Sequence, residues 1–112
     1  MEINKNMIIS GDKAPEIEIR KFNNSTYIVV PFILSKQPLY EWIELVFKPF
    51  NYNYGSVIDS IIGLKYSLSE TLAILNNYLS DPENVKYVAE FNELQEWRRT
   101  AKEYVKKHLK FE

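Results

Sequence analysis

The longest patterned segment of this chain is residues 81–111, with the sequence DPENVKYVAEFNELQEWRRTAKEYVKKHLKF. Asp81 is a favourable helix N-cap, and Pro82 suits the first helical position because the amide it lacks would have no partner there. Apolar and aromatic residues then recur every three or four positions: Tyr87 or Val88, Phe91, Leu94, Trp97, Ala101, Tyr104 or Val105, His108 and Phe111. We predict one amphipathic helix about 40 Å long, longer than a compact domain of this size is wide.

Two shorter helices are predicted before it. Ser67-Leu68-Ser69-Glu70 forms a capping box, in which the serine and glutamate side chains bind each other's backbone amides. The helix over 68–79 then carries four leucines at helical spacing: Leu68, Leu72, Leu75 and Leu79. Ser56-Val57-Ile58-Asp59 resembles a second capping box and opens a short helix that Gly63 ends.

The first half of the chain predicts a β-hairpin. Residues 16–20 alternate polar and apolar side chains, the pattern of a half-buried strand. Asn23-Asn24-Ser25 supplies a turn, because asparagine tolerates positive φ. Residues 26–34 are apolar on both faces, which predicts a covered strand, but Pro31 cannot donate to a ladder. We therefore expect a bulge or a sheet edge at Pro31.

Residues 38–48 fit two templates. Leu39, Trp42, Ile43, Val46 and Phe47 have helical spacing, whereas the tyrosine, tryptophan and β-branched content is typical of a strand. A strand is favoured, because a bare two-stranded hairpin is only marginally stable. The predicted fold is therefore α+β: an antiparallel hairpin or three-stranded meander followed by three helices, the last one long and amphipathic.

The predicted organisation is one α+β domain over residues 16–112, preceded by a flexible N-terminal arm over residues 1–15. Within the arm, residues 7–9 are apolar and can add an edge strand. The 112 residues are 46% hydrophobic, enough for a core without a disulfide or a metal. No apolar run approaches a membrane span and no signal peptide is evident, so we expect a cytoplasmic protein that does not contact membranes.

Chemistry-bearing residues are sparse. The chain has no cysteine and one histidine, which excludes thiol chemistry and thiolate metal sites. His108 follows Lys106 and Lys107 in the last helical turn, a poor place to assemble catalytic partners. Nucleotide-binding and hydrolase motifs are absent from the sequence. We expect a non-enzymatic protein with no cofactor, no metal and no catalytic residue.

The leading hypothesis is a protein–protein interaction or accessory module. The long helix would bind another protein or a second copy of the chain. Its length favours a homo-oligomer, and a homodimer through this helix is one such assembly. A loop of alternating asparagine and aromatic residues would supply a second contact. The predicted partner-binding residues are Phe50, Tyr52, Tyr54, Trp97, Arg98 and Tyr104.

Two alternatives remain open at this level. The long helix changes from acidic to basic along its length, and its basic end could contact nucleic acid through Arg98, Arg99, Lys102, Lys106 and Lys107. The net charge of −1 disfavours this alternative. The second alternative is a small-ligand-binding domain, with a pocket roofed by Trp42 and tyrosines.

Overall fold

The computed structural model describes residues 2–111 and has the predicted α+β architecture, with four strands rather than two or three. An antiparallel sheet precedes three helices. The elements are β1 (Ile9–Gly11), β2 (Glu18–Phe22), β3 (Ser25–Ser35), β4 (Tyr40–Phe47), α1 (Tyr54–Gly63), α2 (Leu68–Ser80) and α3 (Val85–His108). The chain clusters into two compact units, a sheet unit of Ile3–Val57 and a helical unit that begins at Ile58.

The predicted hairpin is confirmed as β2 and β3. Phe22 pairs with Ser25, which leaves a two-residue turn. Its two residues, Asn23 and Asn24, have φ of 48° and 65°, the left-handed conformation that tight hairpin turns require at both positions. β2 pairs with β3 only between Ser25 and Val29, so Pro31 lies beyond the β2–β3 ladder. Its missing amide therefore removes no bond from that ladder.

Residues 40–47 form a strand, as favoured from their composition, and β4 pairs along β3. The register shifts between Ile33 and Ser35, just after Pro31. One face of these central strands is buried and carries Val30, Phe32, Ile43, Leu45 and Phe47. This alternation gives the sheet unit its apolar face.

A charged cluster on the opposite face links β2 and β4, the two strands that flank β3. The Arg20 guanidinium on β2 donates to both carboxylate oxygens of Glu44 on β4, and it also pairs with Glu18. Hydrogen bonds to Glu44 and then to Glu18 raise the pKa of Arg20. These two strands are thus tied together across β3.

The first strand comes from the predicted arm. β1 pairs with β4 as an edge strand, two residues later than the apolar patch at residues 7–9. Gly11 lies against the Trp42 indole, and a Cβ at this position would be 3.1 Å from Cη2. The close approach of this edge to Trp42 therefore depends on a residue without a side chain.

Two helix starts differ from the predictions. α1 begins at Tyr54 and not at the predicted Ser56 box, because the Asn53 side chain accepts the Ser56 amide at 2.9 Å. α3 begins at Val85 and not at Pro82. Asn84 is its N-cap and accepts the amides of the second and third helical residues at 3.0 and 3.2 Å. Asp81 instead follows the last turn of α2.

The capping box at Ser67 and Glu70 is confirmed. The Glu70 amide donates to Ser67 Oγ at 3.1 Å, and the Ser67 amide donates to the Glu70 carboxylate at 3.0 Å. The bond from the Ser67 amide is the main reason that the pKa of Glu70 is lowered. The start of α2 is therefore fixed by local interactions.

The core of the helical unit forms where α2 meets α3. Tyr66, Ile74 and Leu94 are buried, and Phe91 and Trp97 pack against them. Farther along α3 the predicted stripe is buried at Ala101 and Val105. The stripe ends differently from the prediction: Leu109 is buried, whereas His108 is exposed and stacks on Tyr104 with ring centroids 4.2 Å apart.

Candidate protein-interaction surface

The predicted leucine stripe of α2 is largely open to solvent. Its members, here called the leucine face, are Leu68, Leu72, Leu75 and Leu79. Leu68 is 76% exposed, Leu72 51% and Leu79 74%, and Leu75 is half-buried. Ile74 on the same helix is only 7% exposed. The most regular apolar row of α2 is therefore not the row that builds the core.

The reason is the direction from which α3 approaches. α3 packs on the side of α2 that carries Ile74 and Tyr78, and the Tyr78 ring stacks on Phe91 with centroids 4.0 Å apart. At 100° per residue this side lies about a quarter turn from the leucine face. One neighbouring helix cannot cover both sides. α2 thus has two apolar faces. α3 packs on the face that carries Ile74 and Tyr78, and not on the leucine face.

An open groove adjoins the first half of the leucine face. It has a volume of about 510 Å³ and lies between the end of α1, the turn into α2, α2 itself and α3. Its lining is mainly apolar, with hydroxyl groups near the start of α2. The lining residues are Asp59, Ile62, Gly63, Tyr66, Ser67, Leu68, Thr71, Leu75 and Arg98. The groove and the leucine face share Leu68 and Leu75, so they form one continuous surface.

Two opposite charges line this groove from different helices. Asp59 comes from α1 and Arg98 from α3. The ion pairs of the described residues are Arg20 with Glu18 and Glu44, and Arg99 with Glu96, so neither groove charge is paired there. An unpaired cation beside an apolar floor attracts an anionic group of a bound partner.

Tyr66 forms the buried part of the groove lining and has a perturbed pKa. Burial is the main cause that raises the pKa of its phenol, and the negative charges of Glu93 and Glu70 raise it further. The folded chain therefore favours the neutral phenol.

This shift predicts a loss of stability in alkali. The unfolded chain releases the Tyr66 proton at its ordinary pKa of about 10, whereas the folded chain retains it to higher pH. The stabilisation is thus complete below pH about 10 and falls as pH rises above that value. We expect the free energy of unfolding to decrease less steeply above pH 10 in Tyr66→Phe than in the natural chain. Urea titrations at pH steps from 8 to 11 measure this, and equal slopes would contradict it.

Trp97, predicted to contact a partner, is anchored within the chain. Its indole Nε1 donates to the Ile61 carbonyl at 3.1 Å and to the Ile62 carbonyl at 3.3 Å. The Lys65 ammonium lies 4.1 Å from the centre of its ring. These contacts tie the last turn of α1 to α3, which is a structural role. Tyr104, one of the other predicted partner residues, stacks on His108.

The predicted aromatic loop is divided in its exposure. Phe50 is 76% exposed and Tyr54 38%, whereas Tyr52 is half-buried with its ring 5.9 Å from that of Phe47. Burial raises the pKa of Tyr52. Tyr54 is also the first residue of α1 rather than a loop residue. All three belong to the sheet unit, whereas the residues that line the groove belong to the helical unit.

Three of the five predicted basic residues of α3 lie in one row. Arg98, Lys102 and Lys106 repeat every four residues on one side of the helix, and Lys107 is also exposed. Arg99 differs, because its guanidinium binds Glu96 at 2.6 Å. Of the five predicted residues, Arg98 is the one that lines the groove. Contact between this row and nucleic acid therefore stays a prediction.

The predicted ligand pocket near Trp42 is small. A cavity of about 140 Å³ lies there, lined by Pro15, Glu16, Glu18, Arg20, Val29, Pro31, Trp42 and Glu44. Sites for drug-sized ligands measure roughly 300–1,000 Å³, a range that only the helical groove reaches of these two. Within residues 2–111, no three potential metal-ligating side chains cluster together.

Comparison with known proteins gives no relative. No family model, curated protein or solved structure matches the chain. None of its described helices has the length and apolar content of a membrane span. The leucine face and its groove form a continuous apolar feature that the helical unit presents to solvent.

Proposed function

We propose that this protein is a non-enzymatic protein–protein interaction module that binds through the leucine face and the adjoining groove. The observation that carries the proposal is the exposure of Leu68, Leu72 and Leu79 on a well-capped helix. Large contiguous apolar patches on a protein surface often mark interaction sites. The proposal keeps the predicted class of function and moves its centre from α3 to α2.

The spacing on α2 fits a helical partner. Leucines at 68, 72, 75 and 79 are separated by four, three and four residues, the spacing of the apolar seam in paired helices. A partner helix would pack its own apolar residues between these leucines, as in helix-in-groove recognition. The open groove beside Leu68 and Leu75 can receive larger side chains from that partner.

The energy available indicates a modest affinity. Burying one leucine completely contributes about 1.5–3 kcal/mol, and these leucines are already partly covered. Association itself costs about 4–15 kcal/mol in lost freedom of motion. The leucine face alone therefore supports only weak binding, and the groove contacts are needed for affinities in the micromolar range. The module is suited to a reversible contact.

The experiment compares proteins captured from the native host by the natural chain and by a Leu72→Gln, Leu79→Gln double variant. We expect the variant to keep its fold, because both side chains are at least half exposed, and to lose about tenfold or more of the captured partner. Val85→Gln is the matched control, since Val85 is 84% exposed but lies outside the surface. Equal capture by all three proteins would overturn the proposal.

A further inference from the structure

We infer that the occupant of the leucine face is a second copy of this chain, bound about a twofold axis. This inference rests on the proposed function, which it deepens by naming the partner. In a twofold interface the same patch meets itself, so a suitable patch must be complementary to its own copy. The leucine face meets that requirement in shape, in polarity and in charge.

The leucine row is complementary to itself in shape. Two identical rows spaced by four, three and four residues can interdigitate along their whole length, because each leucine fits between leucines of the facing helix. The row spans about 16 Å of helix, so the match extends over three turns. All four positions carry the same side chain, which a second copy reproduces without any adaptation.

The polarity of α2 also favours a copy of itself. Its 13 residues include one charged side chain, Glu70, and that carboxylate is held by the Ser67 amide. The positions beside the leucines are uncharged: Ser69, Thr71, Asn76 and Tyr78. Charged residues at such positions normally select or reject partners, and two copies of α2 bring no like charges together.

The groove charges complete the match. Asp59 and Arg98 both line the groove and neither has an ion-pair partner among residues 2–111. In the proposed dimer, Arg98 of one copy would face Asp59 of the other, and the twofold axis would form the reverse pair at the same time. A single unlike partner would need both an acidic and a basic group in the right places, whereas a second copy supplies both.

The size of the surface sets the expected strength. It comprises the nine groove-lining residues together with Leu72 and Leu79. This is about half of the roughly 20–30 residues that each side of a standard interface contributes. We therefore expect a reversible dimer with a dissociation constant in the micromolar range or weaker.

Sedimentation equilibrium of the intact chain from about 1 μM to 1 mM tests the inference. The expected weight-average mass rises with concentration from the monomer value of 13.3 kDa towards twice that value. Leu72→Glu should hold the mass at 13.3 kDa across the range, because each copy brings a carboxylate to the seam. Val85→Glu, an equal change of charge outside the surface, should dimerise as the natural chain does. Circular dichroism confirms that each variant is folded.

A charge reversal distinguishes a second copy from other occupants. Asp59→Arg and Arg98→Glu should each weaken the dimer by about tenfold, since each leaves two like-charged contacts across the axis. The double variant should recover most of the natural affinity, because both reciprocal pairs are formed again with opposite sense. Failure of the double variant to recover would overturn the proposed arrangement.

A mass of 13.3 kDa at every concentration would overturn self-association. A dimer that persists in Leu72→Glu would overturn the leucine face as its interface. If the chain is monomeric and the leucine variants still lose a captured protein, the proposed function stands and only the occupant is wrong. If the chain is monomeric and capture is unchanged, both proposals fail.

Discussion

Replacing Leu94 with alanine is expected to lower the free energy of unfolding by about 2–5 kcal/mol. Leu94 is fully buried, at 0% exposure, in the cluster with Tyr66 and Ile74. The substitution removes apolar atoms from the core and leaves a cavity that packed neighbours fill only in part. Native domains are stable by about 5–15 kcal/mol, so this one change removes a large share of the total.

The matched control is Leu72→Ala, which deletes the same atoms from the leucine face. Leu72 is 51% exposed, so less burial is lost, and alanine is a slightly better helix former. We expect a change of less than about 1 kcal/mol. Urea unfolding followed by circular dichroism measures both variants at a few micromolar, where dimer dissociation adds little. Equal losses would mean that the leucine face is part of the core, against its observed exposure.

The helices of this chain were predictable where local interactions decide them. The box at Ser67 and Glu70 involves residues three apart, and it forms as predicted. The start of α3 was wrong by three residues because two good N-cap residues, Asp81 and Asn84, compete within one turn. Asn84 accepts two amides of the new helix, while Asp81 closes the preceding one. A pattern of residue types cannot rank two such candidates.

The sheet was less predictable because its partners are far apart in sequence. Tyr40–Phe47 has both helical spacing and strand-forming residues, and its pairing along β3 resolves the conflict. β1 has only three residues, and its strand conformation depends on pairing with β4 about 30 positions later. The residue pattern of β4 or of β1 alone does not reveal which strand it pairs with. Strand number was consequently underestimated.

The α2 helix was predicted from the sequence, but the exposure of its leucine face was not. The leucine row shows where α2 forms, but its exposure depends on which side α3 covers, and that is a tertiary choice. A signal was present in the sequence: α2 carries Ile74 and Tyr78 beside the leucine row, so its apolar area extends over more than one face. A helix that is apolar on two sides needs two neighbours. Arg98 alone among the predicted residues lines the groove.

Trp97 provides the second large expected effect and separates an anchor from a partner contact. Trp97→Ala should lower the free energy of unfolding by about 3–5 kcal/mol, because it removes an indole that packs against the core cluster. Trp97→Phe should cost less, about 1–3 kcal/mol, since the ring is largely kept and the donor to the Ile61 and Ile62 carbonyls is lost. Both are measured by urea unfolding with circular dichroism.

A third variant, Lys65→Met, isolates the cation over the Trp97 ring. It keeps a long apolar chain at this position and should cost only about 0.5–1 kcal/mol. The expected loss of unfolding free energy is therefore largest for Trp97→Ala, smaller for Trp97→Phe and smallest for Lys65→Met. If Trp97 is an anchor, the three variants lose stability in this order, and Trp97→Phe still dimerises through the leucine face. Natural stability in both Trp97 variants, combined with loss of the dimer, would instead place Trp97 in the interface and make the structural role wrong.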